Sequence, residues 1–69
     1  MAVRDSNGNE LVEGDSVTVI KDLKVKGASL TLKRGKLFKG IHLTDDDAAV
    51  EVREGKSVLV LKTEFLKKA

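Results

Sequence analysis

The chain of 69 residues contains no cysteine, no proline, no tryptophan and no tyrosine. Without cysteine, a disulfide scaffold, a thiolate zinc site and a dithiol redox motif are all excluded. A cysteine-free chain suits a reducing compartment, and the expected location is cytoplasmic. Phe38 and Phe65 are the only aromatics, so the core has to be assembled from small branched side chains. No apolar run approaches the roughly 20 residues of a helical membrane span. The N-terminal Met1-Ala2-Val3-Arg4-Asp5 lacks the apolar heart of a secretion signal. A membrane is therefore not an expected partner.

Length bounds the rest. A chain this short has too little interior to divide, so a single domain over residues 1–69 is expected, with its apolar side chains spent on one core. A core of this size supplies only about 3–5 kcal/mol, and neither a disulfide nor a thiolate metal site adds to it.

Glycine falls at near-regular intervals, at Gly8, Gly14, Gly27, Gly35, Gly40 and Gly55, and cuts the chain into short segments. No window sustains helical spacing of apolar residues between two caps, whereas several show a period of two. Asp5-Ser6-Asn7-Gly8-Asn9 carries the Asn-Gly signal of a tight hairpin turn between Val3 and Leu11. After the turn Glu13-Gly14-Asp15, the run Ser16-Val17-Thr18-Val19-Ile20 is the clearest strand. Lys21 to Lys36 reads as a long, partly extended loop ending in a short strand around Leu30 to Lys33. Leu37 to Leu43 reads as a strand with Leu37, Ile41 and Leu43 inward and a bend at Gly40. Thr44 to Asp47 forms a turn. Ala49–Val52 and Ser57–Leu61 form a hairpin around Arg53-Glu54-Gly55-Lys56, with Leu59 and Leu61 inward, and Thr63 to Leu66 closes the chain as one helical turn. Short strands need their edges hidden, so the expected fold is all-β, a small five-stranded SH3-like barrel.

Several stretches imitate chemical motifs and fail at a required position. Asp5, Asn7 and Asn9 match the first ligands of a calcium loop, but Glu10 stands where the turn needs Gly and Ser16 where the bidentate Glu belongs. Asp45-Asp46-Asp47 reads as a solvated turn, because consecutive carboxylates do not converge unaided. Gly55-Lys56-Ser57 resembles the end of a phosphate-binding loop, yet Val50 occupies the upstream Gly position and no helix follows. His42 is the only histidine and has no assignable acid-base partner, so neither Ser-His-Asp nor Cys-His chemistry can be assembled. The expectation is a non-enzyme with no metal and no cofactor.

Charge is unevenly distributed. Between Lys21 and Lys39 there are seven basic residues and one acidic, while the remainder holds six basic and ten acidic. Lys21, Lys24, Lys26, Lys33, Arg34, Lys36 and Lys39 form a candidate binding surface, since clustered positive potential attracts phosphate-rich partners. The alternative is an ordinary solvated face, because barrels that bind nucleic acid usually add exposed aromatics on which bases stack.

The segment Val3-Arg4-Asp5-Ser6-Asn7-Gly8-Asn9 resembles the opening of the PhnA-like family, also called alkylphosphonate-utilisation operon proteins. The stretch Gly14-Asp15-Ser16-Val17-Thr18-Val19-Ile20-Lys21-Asp22-Leu23-Lys24-Val25-Lys26-Gly27 is similar to that family's most recognisable region. Leu61-Lys62-Thr63-Glu64-Phe65-Leu66-Lys67-Lys68 is similar to its ending. Leu32 to Gly35 and Lys39 to Leu43 follow the family's spacing more loosely. The resemblance implies an SH3-like barrel, in agreement with the strand reading. Many members carry an N-terminal zinc ribbon with paired cysteines. That zinc role does not transfer to a cysteine-free chain, and the expectation is the barrel part alone or a short member without the ribbon. The family name implies an operon association with phosphonate use, and no catalytic residues come with it. The expected function is a binding or accessory module with a basic loop, whose partner is an anionic ligand, nucleic acid or another protein. An enzyme acting on phosphonates, and a structural or interaction domain that pairs through an exposed strand edge, are the remaining alternatives.

Overall fold

Branched apolar residues alternate with polar ones in several segments, and the chain forms ten short strands in a computed structural model that describes residues 2–25 and 30–69. They are β1 (Val3–Arg4), β2 (Glu10–Leu11), β3 (Val17–Val19), β4 (Leu23–Val25), β5 (Leu30–Leu32), β6 (Leu37–Phe38), β7 (His42–Leu43), β8 (Ala49–Glu54), β9 (Ser57–Lys62) and β10 (Leu66–Lys68), with a 3-10 turn at Thr63–Phe65. The strands pair antiparallel in four small sheets, ordered β1-β2, β10-β3-β6, β4-β5 and β7-β8-β9. The all-β class is as expected. The hydrogen-bonded ladders among the described residues do not join into one closed barrel; the sheets are held together by a shared core.

That core follows the period of two. Val17 and Val19 on β3, Val50 and Val52 on β8, and Leu59 and Leu61 on β9 all point inward and are buried. Leu11, Ile41 and Leu66 complete the deepest layer, and Val3, Leu32, Phe38 and the partly buried Leu23 pack around it. Each such side chain contributes roughly 1.5–3 kcal/mol on burial.

The chain does not run as one strand from Leu37 to Leu43. Gly40 adopts φ +70, a backbone conformation that favours glycine, and splits the segment into β6 and β7, which belong to different sheets. Leu37 is not inward but exposed. Its register explains this: Phe38 lies opposite Val17 and Leu37 opposite Thr18, so Phe38 must share the core face of Val17. Leu43 lies opposite the buried Val50, yet on a two-residue edge strand it stays exposed.

Two further elements differ from the sequence reading. The segment expected as a loop contains the hairpin β4-β5, in which Leu23 faces Leu32 and Lys24 faces Thr31. The 3-10 turn does not close the chain either, because β10 follows it and pairs with β3, setting Leu66 opposite Val19. The sequence turn between Ala49 and Leu61 also tightens. β8 continues to Glu54, which pairs directly with Ser57, so Gly55 and Lys56 alone make the turn. Gly55 takes φ +60 there, as two-residue hairpins commonly require.

Candidate functional site

Asp5 organises the first hairpin. Its Oδ1 accepts hydrogen bonds from the backbone N–H groups of Asn7 at 2.9 Å and Asn9 at 2.8 Å, and its Oδ2 accepts from the backbone N–H of Lys68 at 2.7 Å. Burial works to raise the carboxyl pKa, but the N–H groups of Lys68, Asn9 and Asn7 together outweigh it and hold the group below its ordinary 3.8. The residues that mimic a calcium loop are thus engaged in a backbone turn, with the carboxylate serving as its acceptor.

Glu13 forms a second junction. One carboxylate oxygen accepts the backbone N–H of Leu43 at 2.8 Å, and the other contacts Nδ1 of His42. The Leu43 N–H, and after it the His42 contact, lower the carboxyl pKa from 4.5. Both side chains are exposed. The partner that the sequence could not assign to His42 is therefore a glutamate 29 positions away, and no local spacing signals it. Asp46 caps its own turn, accepting the Ala48 N–H at 2.8 Å. Among the described residues, no three His, Asp or Glu side chains gather in a way that could hold a metal ion.

The basic residues fall into two groups. Lys36 is taken up by Glu54 at 3.3 Å and also lies 5.7 Å from the centre of the Phe38 ring. The Lys21 ammonium sits 4.1 Å over the ring of Phe65, a cation-π contact. Phe65 is therefore partly buried beneath a lysine and not a core residue. Lys24 on β4, Lys33 and Arg34 in the turn after β5, and Lys39 before Gly40 are exposed and make no ion pair among the described residues. Lys26 lies outside the described residues. The turn that carries Lys33 and Arg34 is fixed from both sides. Arg34 N–H donates to Asp22 Oδ1 at 2.9 Å, Gly35 N–H to the Val19 carbonyl at 2.8 Å, and Lys36 N–H to the Lys33 carbonyl at 3.1 Å. Gly35 adopts φ +91 to make that turn. The Arg34, Gly35 and Lys36 amides are thus spent internally, and an approaching anion meets side-chain cations.

Gly55-Lys56-Ser57 is a hairpin turn and the start of β9, not a phosphate loop.

These features define a small all-β domain of several antiparallel sheets with a basic hairpin on its surface. Residues 3–69 match the YjdM family model, described as a PhnA domain, and the chain belongs to that family. It is 55% identical over 69 residues to the Protein YjdM homolog of Haemophilus influenzae, an alignment covering 100% of this chain and 54% of that protein. Protein YjdM of Escherichia coli is 49% identical over 69 residues, covering 99% of this chain and 62% of its own. Protein YjdM of Streptococcus mutans is 46% identical, with 99% and 63% covered. The chain thus spans between 54% and 63% of the length of these relatives.

Proposed function

We propose that this PhnA-domain chain is a non-catalytic accessory module of SH3-like fold, working in the cytoplasm, that binds the phosphate backbone of nucleic acid through the β4-β5 hairpin and the turn after it. The observation that carries this reading is the set of exposed cations Lys24, Lys33, Arg34 and Lys39, which make no ion pair among the described residues, three of them on the β4-β5 hairpin and the turn after it, where the Arg34, Gly35 and Lys36 amides are already engaged. Such cations displace condensed counterions from a nucleic-acid backbone, and the released ions drive binding. Phe38 is buried and Phe65 is covered by Lys21, so no aromatic is offered for base stacking. Recognition is then electrostatic, favours duplex over single strand and carries little sequence preference.

The test is fluorescence anisotropy with a labelled duplex, titrated at several salt concentrations. The expected result is binding at low salt, with log K falling against log [salt] at a slope of about −3 for three to four neutralised phosphates. No binding at low salt, or binding insensitive to Lys24→Glu combined with Lys33→Glu, overturns the proposal. Incubation with simple alkylphosphonates is expected to release no phosphate; release would replace this reading with an enzymatic one.

A further inference from the structure

The chain has two asparagines and no glutamine, and both asparagines lie in the loop between β1 and β2. Asp5 N–H donates to the Asn9 carbonyl at 2.9 Å, and Gly8 N–H donates to the Asp5 carbonyl at 3.1 Å. Between Asp5 and Asn9 run Ser6, Asn7 and Gly8, with Gly8 at φ +84. This is the arrangement of a tight turn followed by a left-handed glycine. The two side-chain amides are held differently. Asn9 Nδ2 donates to Asp5 Oδ2 at 3.4 Å, and the next residue, Glu10, is already on β2. Asn7 is exposed, its side chain makes no hydrogen bond among the described residues, and the next residue is glycine.

A side-chain carboxamide can be attacked by the backbone nitrogen of the residue after it, closing a cyclic imide. Glycine at that next position leaves the approach open, because it has no Cβ and rotates freely. The folded turn opposes the step. Gly8 N–H is aimed at the Asp5 carbonyl, and the Gly8 carbonyl accepts from Arg4 Nη1 at 2.8 Å. The Gly8 nitrogen therefore reaches Asn7 Cγ only when the loop lets go of these bonds. Exposed loops with few buried contacts open at low free energy, and residues 6–9 are all exposed.

We propose that Asn7 is a site of spontaneous deamidation, gated by opening of its own turn, and that the isoaspartate product loosens the junction between the first hairpin and β10. In the open loop a solvent base takes the Gly8 amide proton and the Gly8 nitrogen bonds to Asn7 Cγ. The Cγ–Nδ2 bond then breaks, and the nitrogen leaves as ammonia after taking up a proton. Water opens the imide on either side. Cleavage of the bond to Cγ leaves an aspartate, whereas cleavage of the bond to the Asn7 backbone carbonyl carbon leaves an isoaspartate, whose main chain is one methylene longer. That methylene falls inside a loop whose Asn7 and Asn9 N–H groups converge on Asp5 Oδ1 at 2.9 and 2.8 Å. The lengthened loop cannot keep both bonds. The other oxygen of the same carboxylate holds the Lys68 N–H, so displacing Asp5 releases the end of β10. The basic hairpin takes no part, and the reaction stands or falls separately from nucleic-acid binding.

The full chain, aged in mildly alkaline buffer and sampled by peptide mass mapping with enzymatic methylation of isoaspartate, tests the proposal. The expected result is amide-to-acid conversion with isoaspartate at Asn7 and none at Asn9. Conversion is expected to be several-fold slower in native buffer than in denaturing urea, by the factor that protects the Gly8 amide from hydrogen exchange. Asn7→Ser is expected to accumulate no isoaspartate. The isoaspartate form, separated by ion exchange, is expected to show a lower urea midpoint and faster exchange at the Lys68 amide than the fresh chain. Freshly prepared Asn7→Asp carries the same added charge on a main chain of normal length, and it is expected to keep the Lys68 protection. An intact Asn7 after prolonged ageing in native buffer overturns the proposal, as does equal conversion at Asn9. A native rate as fast as that in urea removes the gate, and an isoaspartate form with unchanged Lys68 exchange removes the consequence; either result overturns the proposal as stated.

Discussion

The backbone N–H of Lys68 donates to Oδ2 of Asp5 at 2.7 Å, joining positions 63 residues apart. Around this bond Ser6 N–H also reaches the Leu66 carbonyl at 2.9 Å and the Lys68 ammonium donates to the Glu10 carbonyl at 3.3 Å, so the opening hairpin and the last strand are tied together three times. Asp5 is 6% exposed, and its carboxylate takes three backbone N–H groups.

Removing that acceptor leaves donors unpaired in a partly dry environment. Asp5→Ala is expected to destabilise the domain by about 1–3 kcal/mol, with a smaller loss for Asp5→Asn, which keeps one carbonyl acceptor. The urea midpoint of each variant checks this. An unchanged midpoint for Asp5→Ala would show that the junction is not structural.

The same carboxylate sets an acid limb. Its folded pKa lies below the unfolded 3.8, so the unfolded chain binds the proton more readily. The stabilising contribution is complete above that value and is lost as pH falls through the folded pKa. Stability is therefore expected to drop below about pH 4, and less steeply in Asp5→Asn. Chemical denaturation at a series of acidic pH values measures it; parallel limbs for wild type and variant would contradict the assignment.

Glu13 is expected to act locally. Glu13→Ala removes the acceptor of the Leu43 N–H and should speed hydrogen exchange at that amide while leaving the global unfolding midpoint in place, because the contact is solvent-exposed. Glu13→Gln retains a carbonyl acceptor and should restore the Leu43 protection. Equal exchange in all three proteins would rule out the clasp.

Leu66 is fully buried opposite Val19. Leu66→Ala is expected to cost about 2–5 kcal/mol, as much as the whole stability margin of a domain this small, and to leave the chain largely unfolded by circular dichroism. A folded variant with near wild-type midpoint would mean that β10 is dispensable.

Among the cations, pairing decides the outcome. Lys36 is engaged by Glu54, so Lys36→Gln should change duplex affinity little, whereas Arg34→Gln should lower it several-fold and flatten the salt slope by about one. Anisotropy at fixed low salt separates them. Equal losses at both positions would show that only net charge matters.

The period-two runs in β3 and β8 were legible in the residues themselves, as was the first hairpin, because alternation and the Asn-Gly turn are local properties of the chain; the continuous apolar run Val58 to Leu61 left the facing of β9 to be decided by its pairing with β8. The absence of cysteine likewise excludes thiolate chemistry from composition alone. Tertiary structure decided the rest. Whether Leu37 or Phe38 enters the core depends on the register against Val17. Leu66-Lys67-Lys68 becomes a strand only because β3 stands ready to pair with it. His42 meets Glu13, and Lys36 but not Lys24 finds a carboxylate, through contacts that bring distant positions together. Local pattern fixes which side chains share a face; only the packed chain fixes what that face touches, since register and long-range pairing are set by the fit of all segments to one core.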